Sequence, residues 1–101
     1  MRMLMKVSLP IEPFNTAVKD GTAGMKMQQI MGEIKPEAAY FVEMNGRRGG
    51  FFIVNLEDPS KVPMLAEPWF LLFNAEVEFH VVMSPEDLGR AGLDELGKKW
   101  K

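Results

Sequence analysis

The sequence predicts an α+β domain whose elements run strand, helix, strand, strand, helix, strand, with one more helix at the C-terminal end. Three observations predict it. Apolar residues alternate with polar ones over residues 1–9 and again over 75–83, the period of a strand with one buried face. Between these runs, apolar residues recur at helical spacing in two segments. Two short apolar runs flank Asn45-Gly46-Arg47-Arg48-Gly49, a hairpin signal.

In the first strand Met1, Met3, Met5, Val7 and Leu9 alternate with Arg2, Lys6 and Ser8, and Pro10 and Pro13 close it and open a helix. Phe14, Ala17, Val18 and Gly21, then Met27, Ile30, Met31 and Ile34, keep one helical face. Gly21 and Gly24 predict a kink or a close approach to the sheet, and Pro36 stops the helix. Strands follow at 38–44 and 50–56. Asp58-Pro59-Ser60 reads as the cap and first turn of a short second helix with the stripe Val62, Leu65, Ala66 and Trp69. After the last strand, Ser84-Pro85-Glu86-Asp87 is a capping box. The helix it opens holds Gly89, Gly92 and Gly97 and a sparse edge of Leu88, Leu96 and Trp100, so it needs something to lean on. This order gives a ferredoxin-like βαββαβ unit over residues 1–101: a four-stranded antiparallel sheet with two helices on one face, plus the C-terminal helix.

Composition narrows the function classes. Twelve basic residues against fourteen acidic ones, net charge −2, are a poor match to a phosphate backbone, so no nucleic acid is expected as a partner. The segment Arg48-Gly49-Gly50-Phe51-Phe52-Ile53 shares part of an RNA-recognition strand, but Gly50 and Asn55 stand where stacking aromatics are needed. The chain has no cysteine, which removes disulfides, thiolate nucleophiles and cysteine metal ligands. Histidine and carboxylates show no zinc spacing, and the nine methionines are assigned to core packing rather than to metal. No metal and no cofactor are expected. Lys6 interrupts the N-terminal apolar run and no stretch approaches a membrane span, so a cytoplasmic protein without a membrane partner is expected.

The face of the sheet turned away from the helices carries the functional information. Parity places Arg2, Leu4, Lys6 and Ser8 there from the first strand and Glu76, Glu78, His80 and Val82 from the last. Glu43 marks the outward parity of the second strand, adding Ala39 and Phe41 and leaving Tyr40 in the core. Asn55 marks that of the third, adding Phe51 and Ile53. This choice requires an odd number of loop residues in the 45–49 hairpin; the competing signal, Asn45-Gly46 as a two-residue turn, would instead swap the faces of the third strand and take Phe51 and Ile53 off the open face. A patch mixing such apolar side chains with Lys6, Glu43, Glu78 and His80 predicts a homodimer through the open face, with a polar-lined cavity between the sheets.

The element order, the open face and the segment Ala66-Glu67-Pro68-Trp69-Phe70 leading into Val77-Glu78-Phe79-His80 resemble the dimeric α+β barrel superfamily. That group includes muconolactone isomerase-like, YciI-like, EthD-like and small antibiotic-monooxygenase-like domains. The resemblance covers residues 1–83 and implies paired sheets; none of the superfamily's catalytic sets matches residue by residue.

His80, the only histidine, is the candidate catalytic residue, since neighbouring carboxylates would orient an imidazole for proton transfer. Lys6, Phe41, Glu43, Phe51, Glu78 and His80 are the candidate ligand-binding residues. Arg47 and Arg48 are read as a solvated turn. The expected function is a homodimeric small-molecule-binding or structural barrel domain. The alternative is a cofactor-independent isomerase or monooxygenase acting on a small cyclic or aromatic substrate.

Overall fold

A computed structural model describes residues 1–101. It places β1 at Arg2–Ser8, α1 at Ile11–Lys19, α2 at Ala23–Ile34, β2 at Ala38–Met44 and β3 at Arg47–Asn55. A 3-10 turn at Pro59–Lys61 leads into α3 at Val62–Phe73, followed by β4 at Glu76–Val81, α4 at Pro85–Gly89 and α5 at Leu93–Lys99. The strands form one four-stranded sheet in the order β2-β3-β1-β4, every neighbouring pair antiparallel, which is the ferredoxin-like arrangement.

One face of the sheet is the core. Met3, Met5 and Val7 of β1 and Phe52 and Val54 of β3 are buried against Ala17 of α1, Ile30 and Ile34 of α2, and Leu65, Trp69 and Phe73 of α3. The alternation in β1 and the stripe in α3 therefore hold, and even the central aromatics interlock: Phe52 and Trp69 lie 5.2 Å apart and Phe14 and Phe73 4.9 Å apart.

The first helical segment is two helices rather than one kinked helix. Asp20 accepts hydrogen bonds from the backbone N–H and hydroxyl of Thr22, and Gly21 takes a left-handed φ of 82°, so the chain turns before α2 begins. The two other caps form as expected. Asp58 accepts from the Ser60 backbone N–H, and Ser84 and Asp87 make a reciprocal capping box. Ser60 and Ser84 hold the Asp58 and Asp87 carboxyls below the usual carboxylate range, Asp58 chiefly through the Ser60 hydroxyl and Asp87 chiefly through the Ser84 backbone N–H.

The hairpin departs from expectation. Met44 stands opposite Arg47, so the turn has two residues, Asn45 and Gly46, both at positive φ (55° and 78°). Asn-Gly is the pair that tolerates this conformation, whose twist matches that of the flanking strands. An odd loop is thereby excluded, and β3 starts at Arg47, three residues before the expected strand. The change of parity falls on β2. β3 is anchored independently by its ladder with β1, where Phe51 faces Lys6 and Ile53 faces Leu4, so both stay on the open face. On β2, Ala39, Phe41 and Glu43 turn to the helix side, while Tyr40 and Val42 turn to the open face. The Phe41 ring accordingly meets the buried Phe52 ring edge-on at 5.7 Å.

Gly50 is buried within β3 as expected, and Gly49, expected in the loop, is buried in the same strand. A Cβ on Gly49 would lie 2.7 Å from the Val7 carbonyl oxygen and would overlap the Met44 methyl group. The methionine can rotate away; the β1 backbone cannot without loosening the ladder. Gly49→Ala is expected to cost about 1–3 kcal/mol, seen as a lower midpoint in urea unfolding. An unchanged midpoint would mean that β1 and β3 sit further apart at this level.

Beyond β4 the chain leaves the body of the molecule. Residues 88–101 are exposed throughout, and the whole chain measures 60 × 29 × 19 Å. Its radius of gyration is 17.1 Å; a globular chain of this length has about 13 Å. The expected C-terminal helix is split into α4 and α5 at Gly92, which adopts a φ of 74°, and α5 buries none of its residues.

Candidate functional site

The registers lay the open face out in rows. Ala38, Ile53, Leu4 and His80 are cross-strand neighbours in one row. Tyr40, Phe51, Lys6 and Glu78 form the next, and Val42, Gly49, Ser8 and Glu76 the third. Each row runs from apolar groups on β2 and β3 to polar groups on β4. The helix layer lies on the other side of the sheet, and the residues that leave β4 pass one end of this face, where Val82, Met83, Ser84 and Asp87 approach Arg2, Ile53 and Ala38.

Lys6, Glu78 and His80 come together at the polar side. Lys6 Nζ lies 3.7 Å from one carboxylate oxygen of Glu78, and His80 Nε2 lies 3.9 Å from the other. Glu78 therefore stands between two cationic or potentially cationic groups. Neither distance is that of a hydrogen bond. All three side chains are at least 40% exposed in the single chain, where such pairs contribute under about 1 kcal/mol. Fold stability does not account for them. Phe51, the cross-strand neighbour of Lys6, is half-buried and supplies an aromatic wall beside the cluster.

Of the six candidate ligand-binding residues, Lys6, Phe51, Glu78 and His80 share this face, and Phe41 and Glu43 do not. Phe41 sits on the helix side near Leu9, Phe14 and Met27, and Glu43 accepts a hydrogen bond from the Gly46 backbone N–H in the turn. Tyr40 takes the place given to Phe41, extending the row that contains Phe51. The signal that finds it is the competing Asn45-Gly46 turn, once its change of parity is placed on β2 rather than on β3, which β1 holds in register.

The carboxyls with depressed pKa lie elsewhere: Glu12 is lowered by the Thr16 hydroxyl and backbone N–H, Asp20 by those of Thr22, and Asp58 and Asp87 by their caps. No group of three or more histidine, aspartate or glutamate side chains gathers in a way that would hold a metal ion. No helix is long and apolar enough to cross a membrane. Trp69 Nε1, in the core, is the one buried side-chain polar atom without a hydrogen-bond partner.

The chain matches no protein-family model and no curated protein.

Proposed function

We propose that the protein is a homodimer, paired through its open sheet face, that binds a small molecule between the two sheets. The observation that carries this reading is the second row of the open face, Tyr40–Phe51–Lys6–Glu78, in which aromatic rings run directly into an ion pair on a surface that the helix layer leaves uncovered. A mixed patch of this kind calls for a partner. Both outer strands, β2 and β4, are open edges. A two-fold axis parallel to the strands sets β4 of one copy beside β2 of the other, so that every edge gains a neighbour. The polar side of one face then lies over the apolar side of the other, enclosing a pocket with aromatic walls and a cationic corner.

Such a pocket fits a small aromatic or cyclic molecule bearing an acidic group. Its ring would lie against Phe51 and Tyr40 and its acid against Lys6, with Glu78 and His80 reading the remaining polarity. The 3.9 Å approach of Glu78 to His80 favours, as a second reading, an isomerase-type proton transfer with His80 as the base that Glu78 orients.

Thermal melts of wild type and His80→Ala with a library of small aromatic acids test the binding reading. Wild type is expected to gain several degrees with the right acid, and His80→Ala to lose at least half of that gain while melting normally alone. A wild type that responds to none of the acids, together with a His80→Ala that melts several degrees lower, would show that the cluster serves stability only.

A further inference from the structure

Glu43 and Arg48 stand directly opposite each other on the helix side of β2 and β3, yet they form no ion pair. Cross-strand neighbours have Cβ atoms about 4.5–5.5 Å apart, and opposite charges there attract one another. Here each charge is engaged elsewhere. One carboxylate oxygen of Glu43, Oε2, accepts the Gly46 backbone N–H at 2.5 Å. Arg48 donates from Nη1 to Asn15 Oδ1 at 2.8 Å, and its guanidinium lies 4.9 Å from the centre of the Phe14 ring. Each group is thus held in place with hydrogen-bonding capacity to spare. Glu43 Oε1 has no partner in the chain, and neither has the Nε–Nη2 edge of Arg48, which can take a carboxylate through two parallel bonds. Glu12, a second acid near Arg48, is engaged by the backbone N–H and hydroxyl of Thr16.

The two charges border a cleft of about 340 Å³ whose other walls include Leu9, Phe14, Met27 and Phe41. Small-molecule sites run from roughly 300 to 1,000 Å³ and combine apolar walls with a few placed polar groups. Phe41 meets Phe52 along one edge and keeps 59% of its surface exposed, so the cleft has an aromatic wall that its own chain does not cover. A molecule that fills it must bring an apolar body, an anion for Arg48 and a cation for Glu43. The anion and cation must also be close together, because the residues that receive them are direct cross-strand neighbours. A simple acid satisfies Arg48 and leaves Glu43 facing apolar surface; a simple amine does the reverse.

We propose that this cleft binds a free α-amino acid with an apolar side chain. The carboxylate takes the Nε–Nη2 edge of Arg48, the ammonium donates to Glu43 Oε1, and the side chain lies among Leu9, Phe14, Met27 and Phe41. An α-carbon holds the two charges one atom apart, which suits two receiving groups on neighbouring strands; a longer zwitterion separates them too far. Asn15, Phe14 and Gly46 fix the receiving groups before the ligand arrives, which lowers the ordering cost of binding. The site is on the helix side of the sheet. It is separate from the pocket between paired sheets and does not depend on that pairing.

Isothermal titration calorimetry of the full chain with L-leucine, L-methionine and L-phenylalanine tests the proposal. At least one of the three is expected to bind. Removing either charge from that amino acid, as its amide or as the acid without the amino group, should weaken binding by about tenfold or more, the loss of a charge-assisted hydrogen bond. Arg48→Gln and Glu43→Gln should each do the same, while Lys61→Gln, at an exposed position outside the cleft, binds as wild type does. Glutamine at either position is polar and at the surface, and thermal melts check that the fold is kept. Should Arg48→Gln melt lower, Arg48→Lys takes its place: it keeps the charge but lacks the two-donor edge, and it too should bind about tenfold more weakly or worse. Absence of heat with all three amino acids overturns the proposal, as does binding that survives either substitution. Equal binding of the amide or of the deaminated acid also overturns it, because the site would then read one charge rather than two.

Discussion

Phe51→Asp is expected to dissociate the proposed dimer into folded monomers. Phe51 is half-buried at the centre of the open face, flanked by Tyr40 and Lys6 across the ladders. In a single chain an aspartate there still reaches water and gains Lys6 as a neighbour, so the fold survives. Between paired sheets the same carboxylate loses its water within an aromatic surface. The penalty is on the order of 3 kcal/mol, more than a hundredfold in dimer Kd. Sedimentation equilibrium across a range of concentrations reads the shift. Val18→Asp, on an exposed position of α1 in the helix layer, should leave the Kd unchanged. Equal dimer affinity in Phe51→Asp and wild type would exclude the open face as the interface.

Trp69 is expected to be the most costly residue to truncate and yet tolerant of one aromatic replacement. Its ring is 1% exposed and packs on Phe52, so Trp69→Ala should lose about 3–5 kcal/mol. For a domain of this size that lowers the melting temperature by more than about 12 °C. Trp69→Phe gives up part of the same volume. It also removes an indole N–H that is buried without a partner, a group whose desolvation costs about 1–3 kcal/mol. The two effects oppose each other, so Trp69→Phe should lose less than half of what Trp69→Ala loses in urea or thermal unfolding. Equal losses would mean that the N–H is satisfied by an ordered water, and that its removal brings no compensation.

These cases show how much of the molecule is legible in its sequence. β1 could be read because its parity is unambiguous: Met3, Met5 and Val7 are buried while Lys6 and Ser8 alternate with them. β4 could be read for the same reason, and the caps at Asp58 and Ser84 because a short hydroxyl or carboxylate has one job before a helix. Three of the five strand residues of the site, Lys6, Glu78 and His80, come from these two strands, and Phe51 and Tyr40 from β3 and β2. β2 could not be read from its own composition. Ala39 and Phe41 on one face are as apolar as Tyr40 and Val42 on the other, so hydrophobicity carries no parity signal, and the single charge, Glu43, is used by the turn rather than by the open face. As an outer strand, β2 also leaves most of its residues exposed on both sides, which removes the burial cost that would have forced a pattern. α5 was legible as a weak helix lacking support, but not as an element detached from its own body, because detachment depends on what the rest of the chain leaves uncovered.

The two-residue turn at Asn45-Gly46 gives the hairpin a simple evolutionary lever. Inserting one residue beside Gly46 would slide β2 by one position while β3 stays locked to β1. In one step Phe41 and Glu43 would exchange sides with Tyr40 and Val42, and a phenol would give way to a phenyl ring and a carboxylate beside Phe51. The exchange would alter little of the hydrophobic core, since β2 contributes none of its buried residues. Lineages carrying this fold can therefore rewrite one wall of the open face through turn length alone, with every codon of the strand unchanged.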